Sequence, residues 1–437
     1  VQSVPDPPVG EYDLVVVGAG ILGLAVAREW LLRRPGSAVA VLERERDVGL
    51  HQTGHNSGVV HAGIYYAPGS LKARLCVEGA RELYDYCDAR GVPAHRCGKV
   101  VVATRPDELA GLEELERRGR ANGVPGLRQI GPGELRELEP HARGLAALHS
   151  PATGLVDFAA VARALAEDVR GSGGVVAAGC AVEGVESQVR VGGGARSVGG
   201  GGAPSTAHGV GPARASGRVE LRLAGGVRLR AGRAILCAGL WSDRIARRAG
   251  AGPDPRIVPF RGAYHRLPRA RGDLVRALIY PVPDAALPFL GVHLTRQPDG
   301  EVLIGPTALL AGARDAYRLG RVRAGDLAAT LTWPGTWRLA RRWWRTALSE
   351  VHRAASPRAL AAEAARFVPE VAGEDLEPAF AGVRAQALGR DGRLLDDFVF
   401  SETAGPLHVR NAPSPAATAC LAIAHEVVDR LERTAAG

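Results

Sequence analysis

The chain has 437 residues, 46 % of them hydrophobic and 23 % charged, with a formal net charge of +9. That length exceeds what one hydrophobic core supports and predicts two domains or one large composite domain. No run of about 18 apolar residues occurs, which excludes a membrane-spanning helix, and no secretory signal is visible. The charge does not point to nucleic acid. Lysine stands only at Lys72 and Lys99, so arginine supplies 53 of the 55 basic residues, and methionine is absent. This pattern reads as coding bias rather than selection for phosphate contacts. A chain without an initiator methionine is expected to be a processed product or a fragment. The six cysteines are scattered without a C-x-x-C pair. They read as reduced thiols, and no metal site is expected.

After a Pro-rich lead, "EYDLVVVGAGILGLAVAREWLLRR" from Glu11 predicts a strand, a tight glycine turn and a helix. "SAVAVLERE" predicts a second strand. The stretch His51–Tyr66, "HQTGHNSGVVHAGIYY", is too polar for a core strand and too rich in special residues for an idle loop. "VVATRPDELAGLEELERRGRANG" reads as a strand end and a charged surface helix. "GLVDFAAVARALAEDVRGSGG" reads as an amphipathic helix capped by Asp157. "GVVAAGCAVEGVE" and "GRAILCAGLWSDRIARRAG" read as strands, the second leading into a helix. Between them the Gly/Ser/Ala-rich insertion 191–217 is expected to be a disordered loop. Residues from about Pro253 to Pro306 are strand-like, and a helical region follows, about Ala324–Phe367. "SPAATACLAIAHEVVDRLER" predicts a helix with Ser414 as N-cap and Pro415 at its first position. No internal repeat is present. The fold class is α/β, in two domains.

Gly18-Ala19-Gly20-Ile21-Leu22-Gly23 is G-x-G-x-x-G between a strand and a helix, and Glu43 ends the next strand. In that context the motif predicts a dinucleotide site. Gly18 permits the turn, Gly20 admits a pyrophosphate, Gly23 lets helix and strand pack closely, and Glu43 accepts from ribose hydroxyls. The motif's position near the N-terminus, with a late return strand and helix, favours FAD over NAD. Ala238-Gly239 lets a backbone pass close to the flavin side. A helix starting at Pro415 would aim free N–H groups at the N1–C2=O edge of a reduced flavin.

Further stretches are "PGSLKARLCVEGARELYDYC", "NGVPGLR", "TGLVDF", "DPRIVPFRG", "IYPVPD", "PFLGVH", "GVRAQAL", "DGRLLDDFVF" and "HVRNAPSPAAT". With "HQTGHNSGVVHAGIYY" they run from near the first strand to the last helix. Together they resemble the L-2-hydroxyglutarate dehydrogenase family, FAD enzymes of the D-amino-acid-oxidase-like superfamily. The chain departs from that family at Ala263, where an acidic residue is usual, and in the length of the insertion. The resemblance implies an FAD-binding Rossmann-like domain from 11–95, 150–250 and 375–437, and an antiparallel-sheet substrate domain from 96–149 and 251–374. It implies oxidation of (S)-2-hydroxyglutarate to 2-oxoglutarate, with hydride transfer to flavin N5 and electrons passed on to an acceptor such as a membrane quinone. Animal relatives imply a mitochondrial location, in the matrix or at the inner membrane; a bacterial source implies a membrane-associated cytoplasmic one.

Residues expected at the cofactor are Gly18, Gly20, Gly23, Glu43, Arg44, Thr53, His55, Asn56, Ser57, Gly58, Val182, Ala238, Gly239, Ser414, Pro415, Ala416, Ala417 and Thr418. Arg384 is the leading carboxylate clamp and Arg261 a second. His293 and His61 are rival bases. His293 lies in a predicted strand and shares a face with Gly291, which leaves room for a ligand. Tyr66, Tyr264 and Tyr280 are candidate donors to the carboxylates. On a helix, Trp337, Ala340, Trp344 and Leu348 fall on one face, with Trp333 in line if the helix extends back. Arg338, Arg342 and Arg345 fall on another. That arrangement through 333–348 suits either a peripheral contact with an anionic membrane or packing on the protein's own core. Competing readings are a related amine or amino-acid oxidase, a flavin-binding scaffold without catalysis, and an NAD enzyme.

Overall fold

Continuous apolar runs such as "LVVV" bury both faces of a strand and call for a parallel sheet covered on each side. The computed structural model has this arrangement. It describes residues 8–188, 190–191, 194–195, 218–284 and 291–436. The first sheet carries five parallel strands in the order Val175–Ala177, Val39–Leu42, Glu11–Val17, Arg228–Leu236 and Pro406–Asn411. The order reverses beside Glu11–Val17, so the crevice at the carboxyl ends of Glu11–Val17 and Arg228–Leu236 is where such a sheet receives a ligand. The antiparallel strands Val182–Gln188 and Arg218–Leu223 extend from Arg228–Leu236, and Val399–Glu402 pairs with Pro406–Asn411. The helix Ile21–Arg33 packs between Phe158–Gly171 and Cys420–Ala436 in one apolar core on this sheet. Asp157 caps the helix Phe158–Gly171 through the amide of Ala159 at 2.8 Å. Of the insertion 191–217, all but Val191, Gly194 and Ala195 lies outside the described residues.

Among the described residues, the second sheet has nine strands and is antiparallel except where Leu278–Pro281 runs parallel to Lys99–Ala103. Glu377–Leu388, which the boundaries above group with the FAD-binding segments, pairs along its length with Arg256–Leu267 in this second sheet. One face of the sheet packs on the helix Pro357–Ala365. The other receives residues of the His51–Tyr66 stretch, Ile64 and Tyr65 among them. A small sheet of Val59–Val60, Gly154–Val156 and Ala94–His95 sits beside it. The buried Arg314 joins the two halves. It donates to both carboxylate oxygens of Asp243, one at 2.9 Å, and to the carbonyls of Leu240 and Ile257.

Two local expectations are corrected. The last helix begins at Cys420, not at Pro415, and Ser414 is not its N-cap. The segment 414–419 is a run of turns, with Ala416 bonded back to Pro413 and Ala419 to Pro415. Tertiary contacts hold it there: Thr418 Oγ1 accepts from the amide of His61, and a Cβ on Gly79 would lie 2.6 Å from Ala419 Cα. Trp333 is not part of an exposed helix face. It precedes the helix Pro334–Ala355, is 2 % exposed, and donates from its indole to the carbonyl of Leu388 at 3.0 Å.

Candidate active site

At the first turn, Gly18 has φ +106° and an added Cβ would stand 2.5 Å from the carbonyl oxygen of Cys237. A Cβ on Gly23 would stand 1.9 Å from the carbonyl oxygen of Gly18. Both glycines are therefore demanded by the fold. Gly20 differs, because its Cβ would meet only Thr53 Oγ1, at 3.5 Å. The Gly20 amide has no acceptor among the described residues. Thr53 Oγ1 accepts from the amide of Ile21 at 3.1 Å and anchors the helix start. Glu43 accepts from the amides of Ala19 and Glu45, one on each oxygen, which leaves each a second lone pair for a ribose hydroxyl. Val182 begins a strand two residues after Cys180, whose amide donates to the carbonyl of Glu43. The amides of Ala417 and Thr418 likewise have no acceptor among the described residues. An open glycine backbone, a carboxylate held at a strand end and two sets of free amides fit a dinucleotide such as FAD.

The loop that follows divides its residues between holding itself and lining the crevice. Asn56 braces the loop, donating to the carbonyls of Gln52 and Thr53 and accepting from the amide of Gly58. Gly58 has φ +76° and packs against the carbonyl of Val156. His55 stacks on Tyr317 at 3.9 Å, and Arg44 lies 3.4 Å over the ring of Trp241. Gly239, with φ +49°, lies against Gln52. Ser57 lies close to the hydroxyl of Tyr264. Tyr66 lies close to Ser414, and Lys72 lies over its ring.

His293, Tyr264 and Tyr280 pack together on the second sheet, with His61 and Arg384 close enough to couple electrostatically to His293. His293 is 5 % exposed and stacks on Tyr280 at 4.1 Å. Its Nδ1 lies 3.0 Å from the carbonyl of Gly291, which can only accept, so Nδ1 carries the proton and Nε2 keeps a free lone pair. Gly291 supplies this carbonyl rather than space: a Cβ there would meet Pro281 at 3.3 Å. His61 Nε2 lies 3.4 Å from the Ser414 hydroxyl. Burial pushes both imidazoles down to about 3, helped by Lys99 and His293 around His61 and by Arg384 and Lys99 around His293. Burial raises the hydroxyls of Tyr66, Tyr264 and Tyr280, so all three remain donors at neutral pH.

Arg261 is not in this group. It pairs in register with Val383, while Phe260 pairs with Arg384. Paired residues share a face and neighbours alternate, so Arg261 and Arg384 leave the sheet on opposite sides. At Ala263 the amide donates to Thr307 Oγ1 at 3.1 Å and the carbonyl accepts from the Thr307 amide. Motif reading misses Lys99, which lies beneath the rings of Tyr65 and Tyr280 in the same crevice. The signal available for it is compositional: in a chain that otherwise uses arginine, both lysines are buried.

A family model described as FAD dependent oxidoreductase matches residues 13–430. The mitochondrial L-2-hydroxyglutarate dehydrogenase of Homo sapiens is 43 % identical over 97 % of this chain and 89 % of its own length. That of Nematostella vectensis is 42 % identical over 97 % and 91 %. The L-2-hydroxyglutarate dehydrogenase of Indibacter alkaliphilus is 41 % identical over 96 % and 98 %. Among solved structures, dithionite-reduced L-alpha-glycerophosphate oxidase from Mycoplasma pneumoniae with FAD bound aligns with a TM-score of 0.75 at 21 % identity, covering 97 % of this chain and 95 % of that one. Glycine oxidase from Geobacillus kaustophilus aligns with a TM-score of 0.65 at 19 % identity over 97 % and 95 %. The structural likenesses show a shared two-domain fold.

Proposed function

The chain belongs to the family of FAD-dependent oxidoreductases, and within it we propose that this protein is a dehydrogenase that oxidises L-2-hydroxyglutarate to 2-oxoglutarate. The observation that carries this reading is full-length identity, at 41 % and 43 %, to a bacterial and an animal relative named for that activity. Bound FAD supplies the two-electron acceptor that no side chain can provide.

The chain's own residues hold the substrate and handle one proton. Arg384 takes the carboxylate beside the reacting carbon in two parallel hydrogen bonds. His293 Nε2 takes the hydroxyl proton, because the Gly291 carbonyl holds the tautomer and Tyr280 holds the ring plane. Burial is the main cause of the low His293 value, and Arg384 and Lys99 add to it; a dianionic substrate offsets the cationic part and so raises the basicity of His293. His61 serves the 414–418 turn instead, with its amide on Thr418 and its ring near Ser414. Tyr264 and Tyr280 wall the crevice and help to exclude water.

The electron acceptor lies at a membrane in this reading. No helix among the described residues is long and apolar enough to cross one. The helix Pro334–Ala355, kinked at Trp343, instead leaves Trp337, Trp344 and Leu348 each more than half exposed, with the exposed Arg338, Arg341, Arg342 and Arg345 interspersed. Such a face suits peripheral docking on anionic lipid. The animal relatives are named mitochondrial and the bacterial one is not; a mitochondrial location, or the cytoplasmic side of a bacterial membrane, goes with this reading. The test is anaerobic mixing of the purified yellow protein with L-2-hydroxyglutarate. Rapid bleaching by this enantiomer, and none by D-2-hydroxyglutarate, glycine or proline, is expected. Colour that persists with L-2-hydroxyglutarate refutes the reading.

A further inference from the structure

A 2-hydroxyglutarate carries two carboxylates, and burying both requires two cations. Arg384 accounts for one. Arg261 is on the other face of the sheet. Lys72 is already committed to the carboxylate and the carbonyl of Asp396, at 2.8 and 2.9 Å. Lys99 remains. It is 1 % exposed, and among the described residues it has neither an ion-pair nor a hydrogen-bond partner. Its ammonium lies 4.6 Å from the Tyr65 ring and 4.9 Å from the Tyr280 ring. The ring faces attract a cation but replace only part of its lost hydration.

Among the described residues, the groups facing Lys99 carry no negative charge at neutral pH. His61 and Tyr65 come from the His51–Tyr66 loop, Cys76 from the helix Leu71–Arg90, Tyr280 and His293 from neighbouring strands. Burial pushes the Cys76 thiol up to about 12 and raises both tyrosines. With no anion beside it, Lys99 is pushed down by burial to about 7. The chain also keeps lysine here against its strong arginine bias. A guanidinium spreads its charge over a planar fork of five donors, whereas an ammonium is a compact point charge that two ring faces can flank.

We propose that Lys99 is the second carboxylate clamp of the site, binding the distal carboxylate of the substrate and selecting dicarboxylates over 2-hydroxy acids with uncharged tails. This rests on the function proposed above. The test compares wild type, Lys99→Met and Lys99→Arg, each with FAD bound, on L-2-hydroxyglutarate and on (S)-2-hydroxypentanoate, which lacks the distal charge. Lys99→Met is expected to raise KM for L-2-hydroxyglutarate by roughly 10- to 100-fold, the range for a hydrogen bond to a charged group. Its kcat should change by a few-fold at most, and its efficiency on (S)-2-hydroxypentanoate should hold or rise. In wild type, KM for L-2-hydroxyglutarate should climb as pH rises through about 7; Lys99→Arg, charged throughout, should lack that climb. An unchanged preference between the substrates, an equal loss on both, or a pH-dependent KM that survives in Lys99→Arg overturns the assignment. Calorimetric titration with glutarate and butyrate separates the two proposals. If L-2-hydroxyglutarate fails to reduce the wild-type flavin, the function is wrong, and Lys99 stands or falls on whether Lys99→Met loses glutarate binding.

Discussion

Replacing Gly20 with alanine is expected to weaken FAD binding without destabilising the apoprotein, whereas replacing Gly23 is expected to damage both. Gly20 has φ −75° and ψ 172°, a conformation open to alanine, and its new methyl meets only Thr53 Oγ1 at 3.5 Å. The same methyl on Gly23 would lie 1.9 Å from the Gly18 oxygen, 3.2 Å from its carbon and 3.3 Å from Val16 Cγ1. Ordinary contacts of this kind lie near about 3.5 Å, so the helix Ile21–Arg33 would have to retreat by more than about 1 Å. Its far side is packed against Phe158–Gly171 and Cys420–Ala436, which leaves no slack. Overpacking of this kind costs about 1–3 kcal/mol or more. For Gly20→Ala the clash arises only when a phosphate approaches the Gly20 amide. The same range of about 1–3 kcal/mol then appears as a 5- to 150-fold loss of FAD affinity, roughly tenfold per 1.4 kcal/mol. Denaturant unfolding of the apoproteins and recovery of free-flavin fluorescence on dilution measure the two quantities. Wild-type FAD affinity in Gly20→Ala, or equal apoprotein destabilisation in the two variants, refutes the division between fold and ligand glycines.

Arg314→Met should cost about 3–5 kcal/mol, because it leaves the buried Asp243 carboxylate without its cation; Arg314→Met with Asp243→Asn should recover part of that in denaturant unfolding, and no recovery would count against the account. His425 lies 2.9 Å from a Glu29 carboxylate oxygen and 3.5 Å from one of Glu82, and Glu29, then Glu82, raises it to about 10. Because the folded value exceeds the ordinary one, the tie is fully present below about pH 6.5 and is lost as pH rises through about 10. Its partial exposure screens the effect, so the expected outcome is a modest fall in melting temperature over that window that His425→Gln lacks; an identical profile refutes it. The holoprotein should co-sediment with cardiolipin-containing vesicles at low salt, and Trp337→Ser with Trp344→Ser should reduce this. Absence of wild-type binding would remove the proposed membrane contact.

The sequence by itself determined the features that depend on a few consecutive residues. Gly18, Gly20 and Gly23 between an apolar run and a helix specify a turn with close backbone approaches, and Asp157 specifies a cap, because both act within one or two turns of chain. The motif stretches also marked His61, His293 and Arg384, which the fold brings together. What sequence alone did not decide were contacts between distant segments. The face taken by Arg261 depends on a register with Val383 that lies more than a hundred residues away. Gly291 looked like empty space until Pro281 was packed beside it, and Ser414-Pro415 looked like a helix start until Thr418 bonded the loop at His61. Lys99 carried no motif at all. Its significance is burial without a counter-ion, and burial is decided by what the tertiary structure folds over it, here Tyr65 from one loop and Tyr280 from a strand of the second sheet.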